Sequence, residues 1–375
     1  MTLSQADAFH VPAGGPYLLA HSVGCLPKAV PQALQDGYLA AWAEGGGDAW
    51  PDWLQQIDRF RSALANLLGG RPEHWCPQAG VSSAIARIVG GLEAEPGRNC
   101  ILVSEHAFPS VVYALQGLSR VGLRVEIVPG DARQLSSWSR LRDRDIAALV
   151  LMHVHSNNGW VSPVAEIADL ARQHGVFTIV DIAQSGGILP VDVVAWGVDA
   201  VVGSSVKWLA GGPGACFAWI APDAVERLSP IERGWFSHAD PFAMDIRDFR
   251  FAPDARRLWG GTPVIAPFVM ATAAIEMIAN IGIAALRAHN LHLATRLLDA
   301  LDGALGDPGD LPSSGGTLCL SLGREAEAAL KAAGARFDRR GDMLRLSFGI
   351  WNDVADADCV AEALRPSCLR GRMSA

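Results

Sequence analysis

The chain has 375 residues, half of them hydrophobic, with 31 basic against 39 acidic side chains and a formal net charge of −8. That length exceeds what one hydrophobic core usually organises, so a large domain plus a smaller one is expected. The acidic balance and the lack of any Lys/Arg-rich run exclude nucleic acid as the main partner, and apolar runs such as 146–152 fall far short of the ~20 residues that span a bilayer.

In chain order, residues 1–16 carry no basic stretch followed by an apolar one, so no export signal is read there. Seven cysteines without CxxC spacing read as reduced thiols of a cytoplasmic protein. From about residue 60 to 220, helical stretches alternate with short, continuously apolar runs. The first marked segment is Gln78-Ala-Gly80-Val81-Ser82-Ser83, a glycine and two hydroxyls at a helix start. Such a start can present free N–H groups to a phosphate, although a serine cap looks identical. Strands are predicted at 100–104, 124–128, 147–154, 176–180, 200–203 and 215–220, with the clearest helix at 164–174. Runs without polar alternation are buried on both faces, which predicts a mostly parallel α/β sheet.

Two segments inside that pattern carry chemistry. Asp181 directly follows a buried apolar strand, a costly place for a carboxylate unless it meets a cation. Lys207 lies within Gly203-Ser204-Ser205-Val206-Lys207-Trp208, ahead of a glycine-rich turn. It is one of three lysines, with Lys28 and Lys331, in a chain with 31 basic residues. Arginine has taken over the routine surface role, so a lysine among small residues is a candidate amine nucleophile. His153 and His155 share a strand face, but no third ligand accompanies them and no metal site is read.

After Pro263 the texture changes. Residues 267–305 read as one or two alanine-rich helices, followed by strands at 318–322 and 343–348 and a closing helix at 354–364. This predicts a separate α+β domain, which the N-terminal thirty residues could join.

An amine, a buried carboxylate and a phosphate site at strand ends are what pyridoxal phosphate requires. Lysine forms the Schiff base, aspartate keeps the ring nitrogen protonated, and the helix start holds the phosphate. At these residues the chain resembles the class V aminotransferase group of fold-type I pyridoxal-phosphate enzymes, and within it the kynureninases. The similarity is carried by His21-Ser22-Val-Gly24, Phe108-Pro109-Ser110, Asp181-Ile-Ala-Gln184, Gly203 to Gly214, Gly234-Trp235-Phe-Ser-His238, Gly261-Thr262-Pro263 and Arg345-Leu-Ser-Phe348.

The resemblance implies a large domain at 28–264 with a mostly parallel seven-stranded sheet, and a small α+β domain from 1–27 and 265–375. It implies Lys207 as the Schiff-base lysine and proton carrier, Asp181 on the pyridinium nitrogen, Phe108 stacked on the ring, and Gln184 near the ring oxygen. It places Val81, Ser82 and Ser204 in the phosphate cup with Trp235 and Thr262 close by. Ser22, Asn158 and Arg345 face the substrate, Arg345 pairing with its carboxylate. The site is expected at a homodimer interface, with Thr262 reaching across. Trp42, Trp50 and Trp53 are either core or an aromatic wall, and His106 and His238 either line the site or sit at its rim.

Three positions depart from the kynureninase pattern. Val206 stands in place of a tyrosine, Val111 in place of an aspartate and Gln184 in place of a histidine; glutamine there is more like certain C–S lyases. The favoured reaction is kynureninase-like hydrolysis at the β-carbon of an α-amino acid. The rivals are a cysteine desulfurase or other β-eliminating lyase, a transaminase or epimerase, and a non-catalytic cofactor-binding subunit. A desulfurase needs a cysteine on a mobile loop, whereas the candidate Cys319 sits in a predicted strand.

Overall fold

The computed structural model describes residues 4–301 and 310–373. Its centre is a seven-stranded sheet in the order Trp75–Gln78, Cys216–Ile220, Ala200–Ser204, Phe177–Asp181, Ile146–Met152, Cys100–Ser104 and Arg124–Val128. Cys216–Ile220 runs antiparallel to both neighbours, and the remaining pairs are parallel. Four of the inner strands are buried at every residue, as expected of apolar runs covered by helices on both faces. The edge strand Arg124–Val128 is the polar exception.

Trp75–Gln78 escaped the sequence reading because Pro77 and Gln78 interrupt its apolar pattern. It pairs only with Cys216–Ile220, and an edge strand tolerates proline's missing N–H. The strand predicted at 147–154 spans Ile146–Met152, and the one at 176–180 spans Phe177–Asp181. The alanine-rich stretch forms two helices, Ala266–Ile281 and Ile283–Ala300, bent by 77° at Gly282, whose φ of +89° suits glycine. Its predicted end, 302–305, lies outside the described residues. Among the described residues no single helix is long and apolar enough to cross a membrane.

A second, smaller core surrounds a three-stranded antiparallel sheet in the order Leu318–Ser321, Met343–Leu346, Asp338–Arg340. Leu293 and Leu297 of the second long helix pack here with Leu330, Leu344, Phe348 and Leu364. The first long helix instead places Phe268, Ile275 and Ile278 in the large core. The change of core falls within the second long helix, whose Leu286 still packs in the large core. Leu18 of the N-terminal segment enters the small core; its amide donates to the Arg336 carbonyl at 2.8 Å and its carbonyl accepts the Ser347 amide at 3.0 Å. Tyr17 and Ala20 enter the large one, so this segment stitches the two together.

Candidate active site

Parallel strands bring their carboxyl ends to one edge, and each loop there can deliver a side chain to a common space. Asp181 and Ser204 are the last residues of their strands, and Phe108 and Ser156 follow theirs. Val81 and Ser82 open the helix Val81–Gly90, and Cys216 starts the antiparallel strand at the same edge. With Lys207 these residues line one cavity of about 260 Å³. Gln184 and Val111 also line it.

Lys207 and Asp181 face this space without a direct ion pair. Burial pushes the Lys207 ammonium down from the usual lysine range, with Asp181 opposing and Arg345 and Arg340 adding to the push. Burial likewise raises the Asp181 carboxyl, and the Lys207 charge opposes it. Asp181 Oδ1 accepts the Ala183 amide at 2.8 Å, and its other oxygen has no hydrogen bond among the described residues. The lysine loop is backed by the N-terminal segment, where the Gly24 amide donates to the Val206 carbonyl at 2.8 Å. A Cβ at Gly24 would lie 2.4 Å from the Lys207 carbonyl oxygen, so only glycine allows this approach.

At the opposite wall, the helix Val81–Gly90 begins after Gly80 without a side-chain cap. Its first intrahelical bond runs from the Ala84 amide to the Gly80 carbonyl at 2.9 Å. Cys216 lines the cavity beside this helix start, and burial pushes its thiol up. The amides ahead of Ala84 and the helix dipole form an anion-binding end beside the Ser82 and Ser204 hydroxyls.

The small sheet carries a cluster of charges that does not itself line the cavity but meets it through Ser156. Arg345 is only 2% exposed. Its Nε and Nη2 donate to the two oxygens of Asp338, and its Nη1 donates to the Ser156 carbonyl at 2.9 Å. His21 joins Asp338 at 3.1 Å through Nε2 and meets the Ser347 hydroxyl at 2.6 Å through Nδ1. Burial would raise the Asp338 carboxyl, but hydrogen bonds from His21 and Arg345 outweigh that and hold it well below the usual carboxylate range. Burial lowers His21. Arg340, on the neighbouring strand, donates Nη1 to Ser156 Oγ at 2.7 Å and lies 5.3 Å above the Phe108 ring. Lys207 Nζ approaches the same ring to 5.7 Å.

The single chain thus gathers Lys207, Asp181, Phe108, Gln184, Val81, Ser82 and Ser204. Trp235 and Thr262 line two other depressions of the surface. Ser22 and Asn158 do not line the cavity; the Asn158 side chain accepts the Trp160 amide at 3.1 Å. Trp42, Trp50 and Trp53 make ring contacts with Tyr38 and Trp235 outside the cavity. His153 is held by Ser185 at 2.8 Å and pushed to about 4 by burial. His238 is bonded to backbone carbonyls of its own loop, while the His106 ring packs against His155 and Trp160. Asp338, Arg340, Ser156 and Cys216 were missed. Asp338 and Arg340 sit in a polar triplet, Asp338-Arg-Arg340, whose strand character no apolar pattern announces.

A family model for the class-V aminotransferases matches residues 17–306. A kynureninase of Deinococcus radiodurans is 29% identical over 304 residues, covering 78% of this chain and 73% of that one. An apo cysteine desulfurase from Thermococcus onnurineus superposes with a TM-score of 0.83 at 19% identity, over 97% and 98% of the two chains. The cystine C–S lyase C-DES, bound to its product cysteine persulfide, gives 0.83 at 22% identity, over 94% and 98%. A C-DES mutant with glycine covalently linked to its PLP cofactor gives 0.82 at 21%, over 96% and 99%. At these identities the structural likeness is one of fold.

Proposed function

The chain belongs to the class-V aminotransferase family, whose cofactor is pyridoxal phosphate, and from that premise we propose that it hydrolyses an α-amino acid beyond its β-carbon in the manner of kynureninase. The observation that carries this reading is the Lys207–Asp181 cavity, in a chain similar to a kynureninase over most of its length.

The residues suit the cofactor in size, charge and donor set. A half-satisfied buried carboxylate can meet a ring N–H, a depressed lysine amine can meet an aldehyde, and uncapped helix amides can meet a phosphate. Lys207 would hold the group covalently and Asp181 would keep its ring nitrogen protonated. Phe108 would stack on the ring and Gln184, fixed by donating to the His21 carbonyl at 3.2 Å, would lie by the ring oxygen. Val81, Ser82 and Ser204 would cup the phosphate, with Trp235 close by and Thr262 reaching across from a second copy of the chain. When bound, the cofactor supplies an electron sink for charge at the substrate α-carbon.

The protein's own part is positioning and proton handling. Lys207 moves the proton at the α-carbon, and its lowered pKa leaves the amine free to accept it closer to neutral pH. The apolar walls at Met152, Val154 and Val111 exclude water around that carbon. Exposed Phe242, Met244, Ile246 and Val264 form an apolar surface flanking Trp235 and Thr262, which a second copy would cover.

Elimination at the β-carbon is a second reading, favoured by Val111 on the cavity wall. Elimination asks for one base, and Lys207 suffices. Desulfuration is disfavoured: Cys319 lies in the strand Leu318–Ser321 and burial pushes its thiol up to about 11. Product analysis of cofactor-loaded protein separates these chemistries, using L-kynurenine, L-cystine and L-cysteine. Alanine with an aromatic acid supports hydrolysis. Pyruvate indicates elimination, alanine with sulfane sulfur indicates desulfuration, and either as the sole outcome overturns the kynureninase reading.

A further inference from the structure

We propose that Arg87 is a positioning residue that acts across a subunit boundary, fixing the 258–262 loop so that Thr262 meets the cofactor phosphate in a second copy of the chain. The inference rests on the pyridoxal-phosphate reading of the site and on Thr262 reaching across. Thr262 does not line the Lys207 cavity of its own chain. It lines a separate depression of about 240 Å³, together with Gln78, Arg87 and Glu232.

Arg87 lies on the helix Val81–Gly90, whose first two residues line the chain's own cavity, yet its guanidinium is committed elsewhere. Nε and Nη2 donate to the two oxygens of Glu232 at 2.9 and 2.6 Å. Nη1 reaches Gln78 Oε1 at 3.0 Å and the Trp259 and Leu258 carbonyls at 3.3 and 3.4 Å. Gln78 Nε2 donates to the same Leu258 carbonyl at 3.1 Å. One cation thus gathers a carboxylate, an amide and two backbone carbonyls just ahead of Gly260-Gly261-Thr262.

The ion pair itself adds little to stability, because the Glu232 side chain is 57% exposed and solvent screens it. What the contacts specify is the path of the loop. Gly260 has a φ of +98°, and a Cβ there would lie 2.9 Å from Glu232 Oε1. A Cβ at Gly234 would lie 2.2 Å from the Gly260 carbonyl carbon, and the Phe236 amide donates to the Gly260 carbonyl at 3.0 Å. The segment that carries Trp235 and the loop that carries Thr262 are therefore pressed backbone to backbone. Arg87 ties both to the helix whose other end faces the chain's own cofactor site. Without its guanidinium the loop is released at Leu258 and Trp259, while Val81, Ser82 and Ser204 keep their places.

The test compares uptake of pyridoxal phosphate with that of pyridoxal, which lacks the phosphate. Cofactor is fixed to Lys207 by borohydride reduction and counted by mass spectrometry. Arg87→Met should weaken pyridoxal phosphate about 10-fold and leave pyridoxal unchanged. Arg87→Lys keeps the charge without the fork and should recover part of that loss. An equal loss for both cofactors overturns the proposal, and so does no loss. Mixed dimers of two differently tagged chains then give the direction, with Lys207→Ala leaving a single live cavity. Arg87→Met on the Lys207→Ala chain should weaken the live cavity of its partner, and on the live chain it should not. The reverse pattern places the action of Arg87 within its own cavity and overturns the proposal. Wild-type protein that takes up no pyridoxal phosphate overturns the parent reading, and this proposal with it, before any substitution is made. Wild-type protein that takes it up as a monomer leaves the cofactor reading standing and overturns the step across the boundary.

Discussion

The carboxyl edge of the seven-stranded sheet and the hairpin built on Asp338–Arg340 and Met343–Leu346 hold their charged groups by opposite means. At the sheet edge, each group comes from a separate buried strand end and is left short of partners. Among the described residues Lys207 has no ion pair there, and one Asp181 oxygen has no hydrogen bond. On the hairpin, Arg345 and Asp338 hold one another with His21 of the N-terminal segment, and Arg340 is held by Ser156 and Asn157. Reactive groups can remain unpaired where a rigid, fully buried backbone bears the cost. Where the support is a short polar hairpin, charges must hold each other in place before they can hold a ligand.

Substitutions on each side can break this contrast. The largest effect is expected at Lys207: Lys207→Ala should abolish both the visible band of the loaded protein and its turnover. A band that survives unchanged would remove the amine from the cofactor site. Next come the two cores. Leu344→Ala in the small core and Leu149→Ala in the large one, both fully buried, should each cost about 2–5 kcal/mol in denaturant unfolding. Leu344→Ala should weaken amino-acid binding while cofactor uptake persists, and Leu149→Ala should impair both. Loss of cofactor uptake in Leu344→Ala alone would show that the two regions are not separable.

Asp338→Asn should destabilise the fold by about 3 kcal/mol, since it leaves the Arg345 cation buried without its partner. The pH dependence has a definite sign. Asp338 is held below its unfolded pKa, so its contribution is complete at neutral pH and is lost as pH falls through the acid range. His21 is lowered by burial, so the unfolded chain takes up its proton first, and stability also falls as pH drops below 6.5. Thermal melting of the wild type should therefore decline steadily from neutral pH downward, and Asp338→Asn should flatten the most acidic part of that decline. The smallest effect is expected at Cys319: with its thiol at about 11, Cys319→Ser should leave the product distribution unchanged. Loss of product in that variant would bring the desulfurase reading back.

The parallel architecture was legible because buried strands write continuous apolar runs, as in Ile146–Met152. Trp75–Gln78 was not, because Pro77 hides an edge strand from any periodicity rule. Asp338–Arg340 was hidden for a related reason: its three residues are all half-buried and charged, and its strand character comes from pairing with Met343–Leu346. The two long helices could be read from composition, while their division between two cores could not.

Residue type and neighbourhood alone were enough to single out Lys207 and Asp181, since a rare lysine among glycines and a carboxylate ending an apolar strand are each costly without a purpose. The pairing of charges had no such signal. Asp338 and Arg345 meet as cross-strand partners of one hairpin, whereas His21, far away in the chain, reached Asp338 only when the N-terminal segment crossed the small sheet. An arginine's partner is chosen by packing in three dimensions, and among so many arginines only the folded chain could decide which one met Asp338.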